Sequence, residues 1–125
     1  MPILRTRGGA GGGLLAPEYA GSEGQSDTTS LTYIDKTTLT FTAKATTYLI
    51  IYSAEAINGD MRLYNVTDAA VLGEINELSP SAWFPMAGAV KLTLSAGSKT
   101  FKIQWLSNGG TASIRRARIT IIEVT

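Results

Sequence analysis

The chain has 125 residues, with 11 basic and 10 acidic side chains, a net charge of +1, 17% charged residues and 44% hydrophobic ones. Cysteine and histidine are both absent, which excludes disulfides, thiolate nucleophiles, Cys/His zinc sites and the usual near-neutral general base. With no basic run there is no sign of a nucleic-acid partner, and no segment approaches the ~18 apolar residues of a membrane-spanning helix.

The first 30 residues hold seven of the 13 glycines. The run Arg7-Gly8-Gly9-Ala10-Gly11-Gly12-Gly13 offers almost no side chain to bury, and glycine loses more backbone freedom on ordering than any other residue. We read residues 1–30 as an extended glycine-rich arm and residues 31–125 as one folded domain. Such an arm should fray in an isolated monomer; it reads as held by neighbouring subunits or, alternatively, as a flexible leader. Ile3, Leu4, Leu14 and Leu15 suit shallow apolar pockets on another subunit, while Arg5 and Arg7 suit acids there. The N-terminus lacks the apolar stretch of a signal peptide, so secretion through a cleaved leader is not expected.

From residue 31 onward the dominant period is two. Expected strands are 31–35, 38–44, 47–57, 60–66, 71–78, 83–94, 99–107 and 113–124. Leu39, Phe41 and Ala43 share one face of the second, and Met61 and Leu63 alternate with Arg62 and Tyr64 in the fourth. Val90, Leu92 and Leu94 point inward in the sixth, where Pro85 and Gly88 suggest a bulge or corner. Phe101, Ile103 and Trp105 oppose Lys102 and Gln104 in the seventh. Asn58-Gly59-Asp60, Thr67-Asp68, Ser79-Pro80, Ser95-Ala96-Gly97-Ser98 and Asn108-Gly109-Gly110 supply the turns. Asn65-Val66-Thr67 has the form of a glycosylation sequon, but it reads as part of a turn. Eight short strands without helical periodicity indicate an all-β sandwich or barrel.

Two strands are apolar on both faces. In Tyr48-Leu49-Ile50-Ile51-Tyr52, and in the last strand with Ala117, Ile119 and Ile121 on one side and Ile122 and Val124 on the other, one face meets the core. The second face needs a cover: the arm, a neighbouring subunit or a loop. The low charged fraction agrees with subunit contacts. Arg116 and Arg118 share a face of the last strand, where they suit acids on a neighbour or form a solvated charge row. Trp83 and Phe84, beside Pro85, suit either an interface anchor or a plug for one end of the sandwich.

The acids are scattered. Glu74 and Glu77, the closest pair outside the arm, fall on opposite faces of a strand, and Asp60 and Asp68 read as turn residues. No enzyme activity, metal or cofactor is expected from such a distribution.

The segment Arg62-Leu63-Tyr64-Asn65-Val66-Thr67-Asp68, then Val71-Leu72-Gly73-Glu74, resembles a strand-turn-strand unit of small viral jelly rolls. Val90–Leu94, Lys99–Trp105 and the closing Thr111–Ile119 complete the likeness. Over residues 31–125 the chain is similar to jelly-roll domains of tailed-bacteriophage structural proteins, including head decoration (cement) proteins and fibre domains. Tumour necrosis factor and C1q-like trimers share the general architecture. The resemblance implies an eight-stranded antiparallel jelly-roll sandwich, commonly a homotrimer, without a cofactor. It implies a virion protein made in the host cytoplasm that decorates the capsid exterior and reinforces the major capsid protein. The alternative is a tail-fibre or tail-tip domain that binds host-surface carbohydrate through tyrosines or tryptophans beside polar loops. A C1q-like bacterial adhesion module is disfavoured by the missing export signal. Partner contacts are expected at Ile3, Leu4, Arg5, Arg7, Leu14, Leu15, Trp83, Phe84, Arg116, Arg118 and Ile122.

Overall fold

The computed structural model describes residues 16–76 and 81–124. These form nine strands and no helix: β1 (Glu18–Ser22), β2 (Ser26–Thr28), β3 (Ile34–Ala43), β4 (Thr46–Ile57), β5 (Gly59–Asn65), β6 (Ala70–Ile75), β7 (Phe84–Leu94), β8 (Gly97–Ser107) and β9 (Ala112–Val124). The fold is an all-β, antiparallel sandwich. Sheet A has the order β1-β9-β4-β7, with β2 also pairing β9, and sheet B the order β3-β8-β5-β6.

The strand count departs from the expected eight in two places. The pieces expected at 31–35 and 38–44 are one strand, β3, whose pairing with β8 shifts register between Asp35 and Thr37. The residues at 18–28, assigned by composition to the arm, form β1 and β2. Both segments are short and lack an apolar alternation in sequence, so their pairing with β9 places them in the sheet. The remaining strands lie close to their expected bounds. Residues 77–80, including Glu77, lie outside the described residues.

Alternation places the core where the period of two requires. Leu39, Phe41, Tyr48, Ile50, Met61, Leu63, Phe101, Ile103, Ile114, Ile119 and Ile121 are buried between the sheets, each fully covered side chain contributing about 1.5–3 kcal/mol. Phe41 meets Tyr48 edge-on at 5.4 Å and stacks on Phe101 at 6.3 Å. Val90 and Leu92 pack against this cluster from β7, and Leu94 is buried in it.

Each open side of the sandwich has its own closure. Between edge strands β6 and β7, the Tyr52 hydroxyl lies over Gly73 and Gly88, where any Cβ would overlap it. On the other side Lys36, displaced outward at the β3 irregularity, donates from Nζ to Gly24 O (2.6 Å) and Ser26 Oγ (2.7 Å), tying sheet B to the gap between β1 and β2. β7 pairs β4 without a register shift, so the bulge expected at Pro85 and Gly88 is absent. Pro85 is tolerated because β7 is an edge strand and one side of it needs no ladder donor.

The register brings residues 28–34, 57–59, 75–76, 81–84 and 107–112 to one end of the sandwich. Asn58 O accepts from Asn108 N at 3.0 Å, and Ser30 O from Ser107 N at 2.7 Å. At the opposite end the turn after β5 closes through Asn65, whose Oδ1 accepts from Asp68 N and whose Nδ2 donates to Asp68 Oδ2. This Asn side chain is buried, in keeping with a turn role for Asn65-Val66-Thr67. Asp60 lies in β5 rather than in the turn beside it, and it accepts from Asn108 Nδ2 at 3.1 Å.

Candidate functional site

The outer face of sheet A is built from residues that the core leaves over. Across β7, β4 and β9 the register aligns Lys91, Leu49 and Ile122, then Ala89, Ile51 and Thr120, then Thr93, Thr47 and Val124. Tyr19 of β1 extends the second row. Leu49, Ile122 and Val124 are half-buried, and Ile51 is 39% exposed. The doubly apolar strand thus spends one face on the core and leaves the other uncovered among the described residues. Lys91 is the only charge in these rows.

Toward the loop end the same face becomes charged, because of a bulge. β9 pairs Arg118 with Ser53 but Arg115 with Glu55, so it holds one extra residue. Arg116 takes it up at φ 54°, in the left-handed region that a bulky side chain rarely adopts. The inward parity changes there: Ala112 and Ile114 precede it, Ala117, Ile119 and Ile121 follow it, and Arg115, Arg116 and Arg118 all face outward. Their acids are the chain's own. Arg115 Nε donates to Glu55 at 2.6 Å, Arg116 Nη1 to Glu55 at 3.1 Å, and Arg118 grips Glu23 through two bonds of 2.8 and 2.6 Å. The arginines hold both carboxyls below their usual range. Trp83 lies under the Arg115 guanidinium, 3.9 Å from ring centroid to Cζ, and Phe84 packs against the core cluster. Phe84 therefore helps close the loop end, while Trp83 is half-buried beside the arginines.

The outer face of sheet B is polar and internally bonded. One row runs across all four strands: Asp35 (β3), Gln104 (β8), Arg62 (β5) and Glu74 (β6). Arg62 Nε donates to Gln104 Oε1 at 2.8 Å, and Gln104 Nε2 donates to Asp35 Oδ1 at 2.8 Å. Lys102 Nζ reaches Asp35 Oδ2 at 2.6 Å. The Arg62 guanidinium lies between two rings, 4.1 Å from the Tyr33 centroid and 4.7 Å from that of Tyr64. Tyr33 donates its hydroxyl to Glu74 at 2.6 Å. The Gln104 amide and the Lys102 ammonium hold the Asp35 carboxyl below its usual range. Burial, and the hydrogen bond to Glu74, push the Tyr33 phenol up.

Of the residues expected to make partner contacts, Ile122 lies on the outer apolar rows of sheet A, and Trp83, Arg116 and Arg118 lie at their charged end. Ile3, Leu4, Arg5, Arg7, Leu14 and Leu15 lie outside the described residues. Among the described residues no group of three acids gathers as a metal site. The Tyr33–Arg62–Tyr64 stack was not among the expected contacts. Alternation shows Arg62 and Tyr64 facing outward, but nothing in the sequence pairs them with Tyr33.

No protein-family model matches the chain, and no match to a curated protein is found.

Proposed function

We propose that this chain is a structural subunit of a bacteriophage virion, a jelly-roll domain that assembles as a homotrimer and decorates the outside of a shell of major capsid protein. The phage assignment rests on the sequence resemblance. The strand order supports the jelly-roll reading: with β1 and β2 taken as one interrupted strand, the eight strands stand in the two sheets as 1-8-3-6 and 2-7-4-5, the order of two interlocked Greek keys. The observation that carries the assembly reading is the apolar face of sheet A that the described residues leave uncovered. Leu49, Ile51, Ile122 and Val124 gain most when a second copy covers them, and Arg116, Arg118 and Trp83 then border the contact.

The work of such a protein is mechanical. Each subunit buries surface across joints of the shell, and many modest contacts add through multivalency. Residues Ile3, Leu4, Arg5, Arg7, Leu14 and Leu15 supply the arm's contacts to shell or neighbour. We assign the chain no catalytic residue and no cofactor. A tail-fibre or tail-tip position is the second reading, favoured by the aromatic and polar row on sheet B. Sedimentation equilibrium of the whole chain tests the assembly, with an expected mass three times the 13.3 kDa of one chain. Co-sedimentation with purified phage shells tests the decoration role. A monomer at tens of micromolar, both in solution and on shells, overturns the first, and no retention on shells overturns the second.

A further inference from the structure

We propose that the outer face of sheet B binds a neutral oligosaccharide, laid across the row Glu74–Arg62–Gln104–Asp35 and against the rings of Tyr33 and Tyr64. Sugars are recognised by planar groups that give and take hydrogen bonds in pairs, set beside aromatic surface. This face has both. Of the N–H donors of Arg62, five in a guanidinium, only Nε has an acceptor among the described residues. The others are left in a half-buried fork between two tyrosines. Asp35 and Glu74 are exposed carboxylates at the two ends of the row, each with oxygen lone pairs remaining. Val71, 48% exposed, stands beside Tyr64 in the register and widens the apolar strip for the C–H face of a pyranose.

The row is also held in place before any ligand arrives. Gln104 is fixed by Arg62 on one side and Asp35 on the other, and Tyr33 by Glu74, so little side-chain freedom remains to be lost on binding. Its charge selects the ligand class. Arg62 and Lys102 face Asp35, Glu74 and Asp60, a net charge of −1, which gives no attraction for nucleic acid or for sulfated and sialylated glycans. Three strand spacings make the row about 14 Å long, enough for a short oligosaccharide and not only a monosaccharide. The site lies on the sheet opposite Ile51 and Ile122, so it does not depend on self-association or on the decoration role.

Amide chemical shifts of the full-length, isotope-labelled protein test this. The probes are cellohexaose, maltohexaose, mannohexaose and chitohexaose, with sialyllactose as the charged comparison. Saturable shifts are expected with at least one neutral probe, confined to residues 33–36, 62–64, 71–74 and 102–104. Arg62→Lys, which keeps the charge but loses the planar fork, should weaken that binding by about tenfold or more. Tyr64→Ala, on the exposed side of the sheet, should do likewise. Four neutral probes without effect up to millimolar concentration overturn the proposal. So do shifts centred elsewhere, equal binding of sialyllactose, or undiminished affinity in a folded Arg62→Lys protein.

Discussion

The two sheets of this sandwich bury the same kind of inner face and present opposite outer ones. Sheet A turns Leu49, Ile51, Ile122 and Val124 outward with one lysine among them, while sheet B turns out Asp35, Gln104 and Arg62, bonded in sequence, and Glu74, which accepts from Tyr33. Both faces are built by the same alternation and differ only in what fills the outward positions. An outward polar row can close part of its hydrogen bonding within one chain, because hydrogen bonds and ion pairs form between adjacent strands. An outward apolar row cannot, because its gain comes from removing water, and among the described residues nothing lies above it. The contrast is what motivates the proposal that sheet A meets copies of the chain while sheet B is left open to solvent and ligand.

The largest effect should come from charging the apolar face. Ile51→Asp or Ile122→Asp places a carboxylate where a second copy would desolvate it, costing several kcal/mol per contact. The proposed trimer should dissociate, while the monomer's own stability falls by only about 1 kcal/mol. Analytical ultracentrifugation and thermal melting read the two quantities separately. A variant that stays fully associated would place the contact elsewhere.

Sheet B should answer in the reverse way. Arg62→Ala removes the centre of the row, its stacking between two rings and its bond to Gln104. The melt should lose about 1–2 kcal/mol with no change in mass. Dissociation of this variant would mean that sheet B also takes part in assembly.

The smallest effect is on pH dependence. The Asp35 carboxyl is held below its ordinary value of 3.8, so the folded state favours the carboxylate. Its contribution is complete above that value and is lost as pH falls through the lower, folded-state one. Glu23 and Glu55, at the charged end of sheet A, act with the same sign. Asp35→Asn should therefore flatten part of the acid limb and leave the rest. At the alkaline end the Tyr33 phenol is raised from 10.0. Its contribution is complete below that pH and is lost as pH rises, and Tyr33→Phe should remove that limb. Melting temperatures across pH check both.

Much of the inner face was legible in the sequence. Leu39, Phe41 and Ala43, or Phe101, Ile103 and Trp105, alternate with polar residues, and a half-buried strand imposes that period directly. β1 and β2 were not legible. Glu-Tyr-Ala-Gly-Ser and Ser-Asp-Thr have little strand preference of their own, and they are strands because β9 offers a long unpaired edge. The reversal of parity at Arg116 was hidden for a related reason. Three arginines within four residues look like a charge row, and only the pairing with Ser53 and Glu55 shows one residue too many. The Tyr33–Arg62–Tyr64 stack joins β5 to the segment before β3, and that proximity depends on β8 lying between them, which no local pattern encodes. The outward position of Ile122 was legible because a strand apolar on both sides cannot place both in one core.

The two faces can be compared most directly by thiol labelling, since the chain has no cysteine of its own. Single cysteines at Ile51, on sheet A, and at Thr38, on sheet B, are reacted with a small maleimide in the folded protein at micromolar concentration. Both positions are exposed in the isolated chain. Strong protection at position 51, lost on dilution to the monomer, with position 38 reacting at the rate of an open thiol throughout, is the expected result. Equal and rapid labelling at both positions in the undiluted protein would contradict the account.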